Sequence, residues 1–156
     1  MSTEENKALV KRFVYEVQSA HKLELIDELF SPDFIDHYAG SMPPYREGTK
    51  RFLTMIITAF PDVSATIHEQ TAEGNKVWTR KTFHGTHSGP FMGIPPTGKP
   101  IAVEVMDIFR VENGRIAEHW GVSDMLSLLQ QIGASALPSQ NGQHDPNAVD
   151  VSHALS

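Results

Sequence analysis

The run Ile101–Val111 (IAVEVMDIFRV) alternates in polarity, stops at Glu112-Asn113-Gly114, and is followed by a fourth strand-like run, Arg115–Val122. Asn-Gly between two such runs is a specific signal for a tight antiparallel hairpin. Upstream, Val63–Ala72 and Lys76–His87 also read with period two and are joined by Glu73-Gly74-Asn75. Before Val63 the period is helical. Thr3–Ser19 sets Leu9, Val10, Phe13, Val14 and Val17 on one face. Leu23–Phe30 is a shorter helix stopped by Ser31-Pro32-Asp33, and Arg46–Phe60 carries Phe52, Leu53, Ile56, Ile57 and Phe60 up to Pro61-Asp62. Phe34–Tyr38 is a short extended piece, while Ala39–Pro44 and Ser88–Pro100 are loops rich in Gly and Pro. Asp124–Ile132 is a closing helix, capped by Ser123 or Asp124 and followed by Gly133. Helices followed by a run of antiparallel strands give an α+β domain. Its curved sheet packs on the N-terminal helices and leaves an apolar pocket between them. The domain spans residues 1–133. Residues 134–156 lose periodicity, are dominated by Ser, Asn, Gln, Asp and Pro, and read as a flexible C-terminal tail.

Composition narrows the function classes. A net charge of −6 and no basic stripe argue against a nucleic-acid surface. No apolar stretch approaches the roughly 20 residues of a membrane span, and the charged N-terminus lacks a signal-peptide pattern, so a cytoplasmic setting is the default. There are no cysteines, which removes disulfides, thiolate nucleophiles and Cys-based metal sites.

Asp107 is the residue that points to chemistry. Read in steps of two, it shares a face with Ile101, Val103, Val105, Phe109 and Val111. A carboxylate among such neighbours is costly unless it is paired, hydrogen-bonded or protonated, and acid–base work in a pocket is one reason to keep it. On the following strand either Ala117, His119 and Gly121 face the pocket, or Ile116, Glu118 and Trp120 do.

Five blocks, ENKALVKRFVYEV, IDELFSPDFIDH, FLTMIITAFPDV, GTHSGPFMGIPPTGKP and DIFRVENGRIAEHWGVSDMLSLLQQIG, resemble the SnoaL-like polyketide cyclase (ester cyclase) family of the nuclear transport factor 2-like superfamily. The resemblance covers about residues 5–133 and implies a cone-shaped α+β fold. It places His119 where those cyclases carry a histidine, Asp124 on an aspartate at the start of their last helix, and Asp107 where they carry a histidine. At their acid–base aspartate this chain has Gly121. The resemblance favours His119 facing inward. A more distant likeness to ketosteroid isomerases sets Asp107 on their oxyanion-hole aspartate and puts His37, with Asp36 beside it, at their general base; Tyr15 is adjacent to their tyrosine position.

The candidate catalytic residues are therefore Asp107, His119, His37 and Asp124, the last either a helix cap or a partner orienting His119. Tyr15, Tyr38, His84, His87, Phe91, Met92 and Trp120 are candidates for substrate contact, with Phe91 and Met92 placed to act as a lid. Arg80 is either a buried partner for a carboxylate or a solvent-facing charge. The histidines match no metal-ligand spacing, so neither a metal nor a cofactor is expected. The expected activity is a cofactor-independent cyclase or isomerase-type lyase acting on a small hydrophobic carbonyl or polyketide-like compound. A base, His37 or His119, would remove a proton beside the carbonyl, and Asp107, if held neutral, would donate to the enolate oxygen. The rival readings are a non-catalytic binder of small hydrophobic ligands, and a hydrolase using the same acid–base pair. The expected partners are a small hydrophobic molecule and a second copy of the chain, with no nucleic acid and no membrane.

Overall fold

The computed structural model describes residues 2–134, so the expectation of a flexible tail falls almost wholly outside the described residues. Helix α1 (Thr3–Arg12) begins where the Ser2 hydroxyl accepts the Glu5 N–H at 3.1 Å, and Glu4 and Glu5 complement its positive end. It continues without a break as a wider π-helical segment, Phe13–Ser19, which buries Phe13, Val14, Val17 and Gln18. A 3₁₀ turn (Leu23–Leu25) leads into α2 (Ile26–Leu29), then β1 (Phe30–Asp36) and α3 (Arg46–Ala59). Four long elements follow: β2 (Ser64–Glu73), β3 (Lys76–Thr86), β4 (Pro100–Glu112) and β5 (Arg115–Ser123), and α4 (Met125–Gln131) closes the described chain.

The strand order is β1-β5-β4-β3-β2. β2 to β5 form an antiparallel meander, whereas β1 pairs with β5 in parallel through Phe30↔Ile116, Ile35↔Glu118 and Asp36↔His119. The sheet is therefore mixed rather than wholly antiparallel. Ser31-Pro32-Asp33, expected to stop a helix, lies inside β1 instead. Proline is tolerated on an edge strand, where a missing N–H costs no ladder bond, and the β1 register shifts between Phe30 and Ile35. The hairpin turn is as its residues require, with Asn113 and Gly114 at φ 50° and 75°.

The helices cover one face of the sheet. Phe13 meets Phe30 and Phe109 at ring separations of 4.9 and 5.8 Å, and Phe30 meets Phe34 at 4.5 Å. With Val10, Val14, Val17, Ile26, Val77 and Ile116 these rings form the larger core. Near α1 these rings pack the space between helices and sheet. A second cluster joins Ala59, Phe60, Phe91, Ile101, Val103, Leu128, Leu129 and Ile132 at the other end. Phe52, expected on the apolar side of α3, is exposed. Among the described residues no helix is long and apolar enough to cross a membrane.

Candidate active site

Alternation along three neighbouring strands carries polar side chains onto the covered face. Thr79 on β3 stands opposite Asp107 on β4, which stands opposite Gly121 on β5; in the next row Phe109 faces His119, which faces Asp36 on β1. The side chains meet across these rows. His119 Nε2–H donates to Asp107 Oδ1 at 2.6 Å, and Nδ1–H donates to Asp36 Oδ1 at 3.0 Å. The second Asp107 oxygen lies 2.5 Å from Lys81 Nζ, and Lys81 donates to Gln18 Oε1 at 2.9 Å. Four strands and the π-helical segment thus supply one chain of contacts: Asp36, His119, Asp107, Lys81, Gln18.

Access along this chain is graded. The Lys81 and Asp107 side chains are 1% and 4% exposed, whereas Asp36 and His119 are 17% and 20% exposed, so solvent or a ligand reaches the cluster from the Asp36–His119 end. Burial alone would push the Asp107 carboxyl up, but the charge of Lys81 and the hydrogen bond from His119 outweigh it and hold the group at about 2. Burial would likewise lower His119, yet the hydrogen bonds to Asp107 and Asp36 raise it to about 9. Asp107 is thus held as the carboxylate and His119 as the imidazolium at neutral pH, and with the acidic Asp36 and basic Lys81 the cluster pairs two acidic with two basic side chains. The expectation of a neutral Asp107 donating to an oxyanion is therefore corrected: its apolar strand neighbours are overruled by a lysine on the next strand. His119, already protonated, is not a free base at neutral pH.

Gly121 makes this contact possible. A Cβ there would lie 2.5 Å from Asp107 Oδ1 and 2.7 Å from His119 Nε2, inside the space their hydrogen bond occupies. His119 faces inward together with Gly121, as the family resemblance favoured.

Other candidates lie elsewhere. His37 points away from the cluster: its Nε2 contacts Glu118 at 3.1 Å and its ring stacks on Trp120 at 4.7 Å, so both belong to the opposite face. The residue of β1 that reaches His119 is Asp36, one position earlier. Asp124 caps α4, accepting the Ser127 N–H at 3.0 Å, and Asp36 takes the orienting role expected of it. Arg80 pairs with Glu69 on the outside. Tyr15 is exposed on the helix, and His84 is exposed on β3. His87 is buried in the loop, held through Nδ1 by the Thr97 hydroxyl and N–H, with Nε2 unpartnered among the described residues. Phe91 is a core residue against Phe60, 5.4 Å between rings, and only Met92 of the two lid candidates is exposed. Among the described residues no three His, Asp or Glu side chains are arranged to hold a metal ion.

An open hollow of about 480 Å³ lies on the outer face of the sheet. Tyr38, Trp78, Met106, Ile108, Trp120 and Val122 give it an apolar floor, and it meets the cluster only along the strands that carry Asp107 and Gly121. Tyr38 and Trp120 thus line this hollow instead of the buried cluster.

Lys81, Asp36 and Gln18 were not candidates on sequence. A signal existed for Lys81, since Val77, Thr79, Lys81 and Phe83 share the inward face of β3. For Asp36 the signal was the isomerase likeness, which set it beside the general-base position, one residue from His37; its pairing with β5 spans the domain and has no local mark.

Comparison with known proteins agrees with the fold and the motifs. The sequence model of the SnoaL-like polyketide cyclases matches residues 8–132. The aklanonic acid methyl ester cyclase DnrD of Streptomyces peucetius is 28% identical over 130 residues, covering 80% of this chain and 88% of that protein. Among solved structures, TsrD from Streptomyces laurentii superposes with a TM-score of 0.78 at 28% identity, covering 86% of this chain and 98% of that one. IdmH from Streptomyces antibioticus, a proposed polyketide cyclase, superposes with a TM-score of 0.73 at 36% identity, covering 82% and 98%.

Proposed function

The chain belongs to the SnoaL-like polyketide cyclase family, and on that premise we propose that it closes a ring in a polyketide ester by enolate chemistry, without a cofactor. The observation that carries this reading is the His119 imidazolium, clamped between Asp36 and Asp107 at the reachable end of a charge-balanced cluster. Asp36 is the carboxylate a substrate meets, and it takes the proton next to the carbonyl. As Asp36 becomes neutral, its hold on the His119 Nδ1–H weakens, and that N–H turns to the enolate oxygen. The negative charge moves from Asp36 to the substrate, and the total over cluster and substrate together stays constant. The His119 cation that faced the Asp36 carboxylate then faces the oxyanion, and the step gains by the amount that the second contact exceeds the first. The enolate carbon then attacks a second carbonyl of the same molecule, and the alkoxide recovers its proton from Asp36. These roles reverse the sequence expectation, since the histidine is the donor and an aspartate the base.

The name of the relative DnrD supports the methyl ester of an aromatic polyketide acid as first substrate to try. Wild type, Asp36→Asn and His119→Gln would be incubated with aklanonic acid methyl ester and simpler β-keto esters in D₂O. α-Proton exchange would be followed by NMR and cyclised product by chromatography. Both variants should lose about 10²–10⁴ in rate. Saturable binding with neither exchange nor cyclisation in wild type would favour the rival reading, a carrier of small hydrophobic ligands. One observation favours that rival: both His119 nitrogens are already engaged by carboxylates in the resting protein.

A homodimer through the outer face of the sheet is proposed alongside. Trp78, Met106 and Val122 are exposed there on adjacent strands, a contiguous apolar surface of the kind that marks an interaction site.

A further inference from the structure

Lys81 is a lysine with no reach to solvent and no part in any proton transfer described above. Its Nζ sits 2.5 Å from Asp107 Oδ2 and 2.9 Å from Gln18 Oε1, and the rings of Phe83 and Phe109 lie 5.2 and 5.8 Å away. The charged groups facing the Asp107–His119 pair are Asp36 from β1 and Lys81 from β3; the π-helical segment contributes the uncharged Gln18. Without Lys81 the pair and Asp36 would form a buried cluster with one uncompensated negative charge. Such a cluster relieves itself by taking up a proton, and two groups as close as Asp107 and His119 then titrate jointly.

We propose that Lys81 is a positioning residue that fixes the number of protons held by the Asp107–His119 pair, with Gln18 holding the lysine in place. By engaging Oδ2, Lys81 leaves Oδ1 to His119 and keeps the imidazolium with both N–H groups intact. Its importance for the rate rests on the acid–base reading above, but its effect on protonation does not.

The test separates the two. Lys81→Met keeps an unbranched apolar side chain of similar length, and Gln18→Leu removes only the acceptor that steadies the lysine. His119 would be followed by NMR of its Cε1–H across pH 3 to 10 without substrate, assigned by difference from His119→Gln. In wild type the ring should stay charged from acid to well above neutrality, in a single step. In Lys81→Met a second step should appear as the pair takes up an extra proton, displaced upward from the Asp107 titration by about two units or more. Gln18→Leu should shift the same step in the same direction by less, and it decides the matter if Lys81→Met does not fold. Should cyclisation be measurable, Lys81→Met gains an acid limb at the same pH, with kcat lower by about a hundredfold and KM within about threefold. Wild-type titration in the folded variants would overturn the proposal whatever the catalytic result. A shifted titration in a protein that turns nothing over would uphold it and refute the enzyme reading alone.

Discussion

Gly121→Ala tests the geometry of the cluster with a single methyl group. The added Cβ would lie 2.5 Å from Asp107 Oδ1 and 2.7 Å from His119 Nε2, so one of the two has to move. Neither is free to do so cheaply. Asp107 is held at its other oxygen by Lys81, and His119 is held at Nδ1 by Asp36. Alanine in place of glycine in a strand would by itself gain about 0.5–1 kcal/mol. Against that stand about 1–3 kcal/mol for overpacking and a further loss as the hydrogen bond between charged groups lengthens, about 1.5–3 kcal/mol. The net expectation is a folded protein destabilised by about 1.5–5.5 kcal/mol, measured as a drop in the urea midpoint at unchanged slope. His119 should titrate closer to its ordinary value once it loses its stronger partner, and turnover should fall by about 10²-fold or more. A Gly121→Ala protein with wild-type stability and an unaltered His119 titration would refute the claim that the empty Cβ position makes the pair possible.

The remaining expectations concern pH, the last helix and the outer face. Asp107 is lowered to about 2, so its contribution to stability is present above its unfolded value near 4 and is lost as pH falls through the folded one. His119 is raised to about 9, so its contribution is full below about 6.5 and is lost as pH rises through 9. Thermal stability should therefore be greatest between about pH 4 and 6.5 and decline on both sides; a His119→Gln protein that keeps the alkaline decline would contradict this. Asp124→Ala should cost about 0.5–2 kcal/mol of stability through the lost cap and leave kcat/KM unchanged, which steady-state kinetics and denaturation together would check. Met106→Glu and Val122→Glu should convert a dimer to a monomer in light scattering while sparing the His119 titration; a wild type that is monomeric at high concentration would dispose of the outer-face interface.

What sequence made visible was local. The Asn113-Gly114 turn sets the hairpin, alternation puts Asp107 on the covered face, and an Asp before Met125-Leu126 reads as a cap because capping involves only the next three residues. Contacts spanning the domain stayed hidden. Asp36 and His119 are 83 positions apart and meet because β1 runs parallel to β5, a pairing that no turn announces. The same strand explains why His37 attracted attention in place of Asp36. In an extended segment one step in register exchanges the two faces, so the neighbour of the functional residue points to the wrong side of the sheet. Lys81 was legible in principle from the alternation of Val77, Thr79 and Phe83. A lone lysine on a strand ordinarily carries its charge outward, and only the carboxylate of the adjacent strand gives it a reason to point in.

Stability alone is a poor explanation for this arrangement. Two carboxylates, an imidazolium and an ammonium drawn into the covered face each forgo hydration, and well-packed apolar residues of similar volume commonly hold a fold as firmly or more so. Gly121 adds a second local cost, a strand position without a side chain, at the point where the charges meet. Neither cost is lifted by a single substitution, but replacing Asp107, His119 and Lys81 together by apolar residues would remove the buried charges and free position 121 to carry a side chain. Both are explained together if the geometry being maintained is that of His119, charged and held at each nitrogen, with its Asp36 side open to solvent. The gradient of exposure along the cluster gives the arrangement its direction. Lys81 and Asp107 are sealed at one end, and Asp36 and His119 stand partly open at the other, which is the placement the proposed acid–base chemistry calls for.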